Sequence, residues 1–473
     1  LYPKLYALGK VEIEQNNIPT FTEARNWFVA VDPQVTITSP ISATQNTEHL
    51  KSGKHIVTVN STHAYSFFLD VGDDINYTST TDGGATWTAG VDIPLGAFQG
   101  LAVWYDRWTP NDNGDLIHIA YYDTAGDKIF YTQFNASTNT AVASNIDTVV
   151  NENACAGSCL GVLSGTGVND IAVTKSTNGT IFVGTVDALL PLGSLSPIRK
   201  CSSGCTATTG WKSAGIPTTP WIDADNGDHS IVMLPLSNSS IVVISNDVLS
   251  DLLEFSTFNY ASNGNWTAWT TIAPSIIDNT NAQHSLSGTV KLSNNDLYVS
   301  VVFNTNTTDS SEINVFKYNT SKSWTRLTDP WDNGTDTTSK IIDSSIGIDA
   351  NSGHLYVTYI REANGAAPPT DRDVYYKVST DDGSTWSTEQ RVSDSSEYYS
   401  QVSMDNINTD RLYATWLENT NFDIEGDTVV RLKSLTETVA ILEATLTKSA
   451  SLSLPLETVA ISAVVNARTT VKS

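Results

Sequence analysis

The chain has 473 residues, with 51 acidic against 26 basic side chains and a formal net charge of −25. A surface this acidic repels phosphate backbones, which argues against a nucleic-acid partner, and it suits divalent cations or plain solvation. No run of about 18 apolar residues occurs, so no membrane-spanning helix is expected. The 12 Trp and 18 Tyr are the aromatic load of a β protein. The first residue is Leu1 rather than Met, which suggests a processed or trimmed form.

Residues 1–33 read as an N-terminal extension, mixing Tyr2, Tyr6, Trp27 and Phe28 with a candidate strand at 10–14. The segment 34–39 (Gln-Val-Thr-Ile-Thr-Ser) has strand composition but no repeat of its own. From there to residue 434 one unit recurs. It is an apolar and aromatic β-run, a polar turn, a second β-run, and a Gly/Asn/Ser turn ending in Trp. The first copy runs through 64–70 and 74–78 and closes on Trp87; the second uses 116–122 and 128–134. The third spans 180–186 and 197–200 and closes on Trp211; the fourth, 240–245 and 253–260, closes on Trp266. The fifth, 297–303 and 313–318, closes on Trp324; the sixth, 355–360 and 374–378, closes on Trp386. A last copy is 412–417 with 428–432. Several units begin with an extra strand that ends in Asp, at 222–225, 345–349 and 401–405.

Such an array, without helical periodicity, predicts an all-β fold. Seven four-stranded sheets set radially, with six as the alternative, leave only short edges, which is the β-propeller solution. The seventh unit lacks a last strand, and 34–39 is predicted to lend one. Residues 435–473 form a β-prone tail in which Glu-Thr-Val-Ala-Ile recurs at 437–441 and 457–461. Between the two copies, Ser449–Leu454 alternates polar and apolar residues strictly.

The four cysteines form two C-x3-C pairs in Gly/Ser loops, Cys155/Cys159 and Cys201/Cys205. Two local disulfides are the favoured reading, a four-cysteine metal site or free thiols the others; disulfides imply an oxidising, extracellular setting. Asn-x-Ser/Thr acceptors occur at Asn60, Asn76, Asn135, Asn178, Asn238, Asn265, Asn306, Asn319 and Asn333. They permit glycosylation. Asp223, Asp225 and Asp228 resemble the first part of a calcium loop without its distal Glu, and a plain turn is the competing reading. No other cofactor is indicated.

The turns of the first and sixth units are specific. They read Thr80-Thr-Asp82-Gly-Gly84-Ala-Thr86-Trp87 and Ser379-Thr-Asp381-Asp-Gly383-Ser-Thr385-Trp386. Both resemble the Asp box of the sialidase-like β-propellers, and the resemblance extends at fold level over most of residues 50–434. It implies structural turns, in which Asp accepts backbone N–H groups and Gly takes positive φ.

The catalytic set that this resemblance would bring does not transfer. Sialidases use three Arg, a Tyr nucleophile backed by Glu, and an Asp acid–base. Here the only Arg before the first box is Arg25, outside any matching phrase. Of the later candidates (Arg107, Arg199, Arg326, Arg361, Arg372, Arg391, Arg411 and Arg431), Arg107 is the one expected at the central face, beside Trp104 and Trp108. Its competing reading is cation–π packing on those rings. Glu397-Tyr-Tyr399 imitates a Glu–Tyr pair by chance spacing. No catalytic residue is assigned.

The leading functional expectation is a secreted or surface structural propeller, on a cell or a virion. It would assemble with copies of itself or a neighbour through strand addition by its tails. A carbohydrate-binding, adhesive propeller is the second reading and a sialidase-type hydrolase the third.

Overall fold

The computed structural model describes residues 35–38 and, apart from segments such as 151–167 and 215–229, residues 54–429. The extension 1–33 and the tail 435–473 lie outside them. The described residues belong to one compact unit, Pro33–Val429.

Each repeat folds into an antiparallel sheet because its runs alternate apolar and polar residues and end at Asn, Gly and Asp turns. The described strands make seven sheets of four or five strands. The first holds Ile56–Thr58, Ala64–Leu69, Ile75–Thr80 and Val91–Asp92 in that order. The sixth runs Lys340–Asp349, Leu355–Glu362, Arg372–Ser379, Gln390–Arg391, with Ile407–Asn408 added in parallel to its first strand. The first strands of successive sheets pack on one another, and the seventh sheet packs back on the first. That closure makes the all-β propeller.

The seventh sheet joins Tyr399–Met404, Leu412–Glu418 and Asp423–Val429 to Val35–Thr38. Val35 lies opposite Gly426 and Thr36 opposite Glu425. The loan of an N-terminal strand is therefore present. The third strand of this sheet is Asp423–Val429, several residues earlier than the sequence pattern placed it. The first strand of the fourth sheet is Ile231–Pro235, beyond the expected 222–225, which lies outside the described residues.

Burial falls from the axis outward. Gly100–Tyr105 and Ile231–Pro235 are buried at every position, while the outer strand Val91–Asp92 is exposed. Aromatic side chains fill the wedges between sheets. Phe134 of the second sheet meets Tyr65 and Tyr77 of the first at ring distances of 5.1 and 4.7 Å, contacts worth roughly 0.5–1.5 kcal/mol each beyond area burial.

Near the axis, short polar side chains cap backbone groups of the next sheet. Asp170 accepts from Ile231 N–H at 2.9 Å and Asp343 from Val402 N–H at 2.7 Å. Ser285 accepts from Ser344 N–H at 2.8 Å. These bonds satisfy buried donors at the wedge tips, where sheets crowd together.

Several outer strands are short: Val91–Asp92, Asn265–Trp266 and Gln390–Arg391 have two residues each. Edges of this length offer few ladder positions to an added strand. Assembly through the tails has no support in the described residues.

Candidate functional site

The two Asp-box turns have one geometry. In the first, Asp82 Oδ1 accepts from Thr86 N–H at 2.9 Å and Oδ2 from Thr86 Oγ1 at 2.6 Å. Thr80 Oγ1 donates to Asp82 and accepts from Gly84 N–H at 2.9 Å. In the second, Asp381 takes Thr385 N–H at 2.8 Å and its hydroxyl at 2.6 Å, and Ser379 Oγ accepts from Gly383 N–H at 2.7 Å. The Thr86 hydrogen bonds hold the Asp82 carboxyl at about 2. Gly383 has φ +85, and a Cβ there would lie 2.4 Å from Leu327. Trp386 donates its indole N–H to Thr328 O of the fifth sheet at 2.8 Å, and Trp266 donates to Ala214 O of the third at 3.0 Å. In the fourth and sixth sheets the closing Trp thus pins the sheet to the one before it.

In the third sheet Cys201 and Cys205 form a disulfide, and the Trp211 indole N–H donates to Cys205 O at 2.9 Å. Cys155 and Cys159 lie outside the described residues, as do Asp223, Asp225, Asp228, Asn306, Asn333 and Glu397. Among the described residues no group of three or more His, Cys, Asp or Glu could hold a metal ion, and no helix is long and apolar enough to cross a membrane.

The Asn-x-Ser/Thr pattern has a local cause. Asn60, Asn135, Asn178, Asn238 and Asn319 each accept, through Oδ1, the N–H two residues on, at 2.9–3.2 Å. This is the Asx turn, which gives the Asn a structural role in the hairpin. Asn76 is 3% exposed within a strand, which removes it from the glycan acceptors.

The expected central-face contact of Trp104, Arg107 and Trp108 is corrected. Arg107 lies on a one-turn 3-10 helix, Asp106–Trp108, between the first and second strands of its sheet. In an up-and-down sheet that connection lies at the same end as the third-to-fourth turns, which carry the Asp boxes. Trp104 and Trp108 are 3% and 0% exposed and pack edge to face at 5.6 Å. Arg107 pairs with Asp115 at 2.5 Å and lies 5.7 Å from the Tyr105 ring, so its cation–π partner is neither Trp.

Beside this helix a chain of polar groups is buried. His118 Nε2 meets Asp106 Oδ1 at 2.8 Å, and His118 Nδ1 meets the Tyr131 hydroxyl at 2.5 Å. Gln133 donates to that hydroxyl at 2.9 Å, so the phenol donates to Nδ1 and Nε2–H donates to Asp106. Lys175 of the third sheet bonds Asp106 and, at 2.7 Å, Asp112. Burial raises the Asp106 carboxyl, but His118 and Lys175 outweigh it and hold it at about 2; burial also lowers the His118 imidazolium. Asp106, His118 and Tyr131 are 1–2% exposed. The set has the groups of a catalytic triad but no open side, and it ties the second sheet to the third.

An open cluster lies at the other end, between the fifth and sixth sheets. Arg361 stands near the end of Leu355–Glu362 and Tyr375 near the start of Arg372–Ser379, at the end opposite the Asp boxes. Trp331 follows the outer strand Trp324–Arg326 of the fifth sheet. The Arg361 guanidinium is stacked between Tyr375 at 4.6 Å and Trp331 at 5.0 Å, and it bonds Glu389 at 3.0 Å. Glu389 also accepts from the Tyr359 hydroxyl at 2.7 Å. Lys377 lies 5.6 Å from the Trp331 ring and donates to Pro330 O at 2.7 Å; burial lowers its ammonium. Arg361 and Glu389 keep 20% and 22% of their side chains exposed. Among the described residues, Arg361 Nε has no acceptor. Arg391–Asp373 at 2.7 Å and Arg372–Glu362 at 2.8 Å brace the strands beside it. Arg361 stood among the sequence candidates. Its partners did not, because they come from two sheets and their spacing carries no motif.

No protein-family model matches the chain, and no curated protein matches its sequence. Solved structures do match. A PL25 polysaccharide lyase, an ulvan lyase bound to -[GlcA(1-4)Rha3S]-, has a TM-score of 0.52 at 10% identity, covering 86% of this chain and 99% of its own. The same lyase without that ligand gives 0.51 over the same shares at 10% identity. A leech intramolecular trans-sialidase gives 0.42 at 10% identity, over 85% and 70%. The class is thus fixed as a β-propeller with the fold of a polysaccharide lyase.

Proposed function

We propose that the chain is a carbohydrate-binding propeller of the extracellular or cell-surface kind, and that the partly exposed cluster at Arg361 is its saccharide site. The seven sheets are, in this reading, the seven blades of one ring. The observation that carries the proposal is the Arg361–Glu389 pair, held between Trp331 and Tyr375 on partly open ground. A guanidinium and a carboxylate side by side offer donors and an acceptor to adjacent sugar hydroxyls, and aromatic faces receive the C–H side of the ring. The sugar-bound lyase that shares the fold supports the reading without supplying its ligand. Hydrolysis is not proposed. Tyr359 is 0% exposed, and burial, then the Glu389 charge, push its phenol far above its ordinary value.

A glycan array with labelled protein tests this. Arg361→Ala and Glu389→Gln are expected to weaken each bound glycan by roughly tenfold to a hundredfold, the range of a buried interface anchor. An array on which wild type binds nothing, or on which both variants match wild type, counts against the site.

A further inference from the structure

The seventh sheet is the joint of the ring, since it alone combines strands from the two ends of the described chain. One side chain bypasses it. Lys54 precedes Ile56–Thr58 of the first sheet, and its own carbonyl accepts Val103 N–H of the second sheet at 3.2 Å. Its ammonium reaches to the sixth sheet, donating to Ser345 Oγ at 3.2 Å and to Ile346 O. Ser345 Oγ in turn accepts Met404 N–H of the seventh sheet at 3.0 Å. The next residue, His55, donates its N–H to Ser403 Oγ of the seventh sheet at 3.0 Å. First, sixth and seventh sheets are therefore laced together through one buried amine, 6% exposed.

We propose that Lys54 is a strut across the ring's closing joint whose protonation loosens that joint, so that closure tightens as pH rises through neutrality. The charged groups around it are few. Asp405, just after Tyr399–Met404, attracts the ammonium; His55, both ring nitrogens buried, is its titratable neighbour in the chain, just before Ile56–Thr58. On the sixth sheet the contacts are a hydroxyl and a carbonyl, and Asp343 there is engaged with Ser344 and Val402 N–H. The second sheet contributes Val103. One carboxylate against full burial leaves the charged form disfavoured: burial lowers the amine from 10.5 to about 7, with Asp405 opposing. Between those values the unfolded chain holds a proton that the folded chain lacks, so stability rises with pH across the window and is flat below about 7. The neutral amine still donates to Ile346 O, so the lacing survives deprotonation.

The test is denaturant unfolding of the full chain from pH 6.5 to 9.5, with wild type beside Lys54→Met, and hydrogen-exchange protection of the Asp423–Val429 amides over the same range. The wild-type unfolding constant is expected to fall by about a hundredfold or more relative to the variant, from a shift of several pKa units. Protection at Asp423–Val429 should rise with it. Asp405→Asn serves if Lys54→Met does not fold, because loss of the carboxylate moves the wild-type transition to lower pH. A Lys54→Met profile with the wild-type slope overturns the proposal. So does an Asp405→Asn transition at the wild-type pH, or protection that does not change at the joint.

Discussion

A chain lacking residues 1–40 is expected to melt lower by roughly 8 °C and to aggregate as it does so. The deletion removes Val35–Thr38, which pairs with Asp423–Val429 and forms the outer edge of the seventh sheet. A loss of about four backbone hydrogen bonds at about 1 kcal/mol each, with about 2 °C per kcal/mol for a chain of this size, gives that drop. The uncovered strand, Asp423–Val429, presents seven residues of open edge, longer than the two-residue outer strands of the first and sixth sheets. Long open edges recruit other chains. Adding a peptide of residues 30–41 should restore the melting temperature, because the groove it refills is otherwise intact. Scanning calorimetry of both proteins, with and without peptide, reads the effect. A truncated chain that melts like wild type would show that the borrowed strand does not close the ring.

Replacing Asp106 by Ala is expected to cost about 3–5 kcal/mol, the range found when one partner of a buried ion pair is removed. One carboxylate there accepts from Leu116 N–H at 3.0 Å, from His118 and from Lys175. The substitution strands a half-buried ammonium, whose remaining partner is Asp112, and a buried imidazole. The pH dependence has a definite sign. The Asp106 carboxyl falls from 3.8 to about 2 on folding, so its stabilisation, about 2 kcal/mol, is complete above 3.8 and is lost as pH falls through 2. Acid unfolding of Asp106→Ala should lack that component. Urea titrations at pH 7 and pH 2.5 check both effects; equal stability of the two proteins at pH 7 would refute the tie.

The parts of this fold that are local in sequence were legible there. Alternating runs marked the second and third strands of most sheets, and in the turns at Asp82 and Asp381 the carboxylate accepts a backbone N–H as the sequence suggested, while the Thr86 and Thr385 hydroxyl bonds were not foreseen. The spare segment at 34–39 pointed to the strand loan because a closed array leaves no strand without a sheet. Ile231–Pro235 was missed for a physical reason: an inner strand buried on both faces shows no alternation. Arg107 was misplaced because a helical turn after Gly100–Tyr105 carries it to the Asp-box end. The Arg361 cluster was illegible as a unit. Trp331, Arg361 and Glu389 meet only because successive sheets stack, and a contact across two sheets has no fixed spacing. Likewise the Asn-x-Ser/Thr pattern did not reveal that five of its Asn residues also form Asx turns.

The central claim is that saccharide binds between the fifth and sixth sheets, not on the axis. A crystal structure of the full chain with the strongest glycan from the array tests it most directly. The account predicts a sugar ring against Trp331 or Tyr375, with its hydroxyls on Arg361 and Glu389. Sugar bound elsewhere, with the Arg361–Glu389 pair undisturbed and bare, would contradict it.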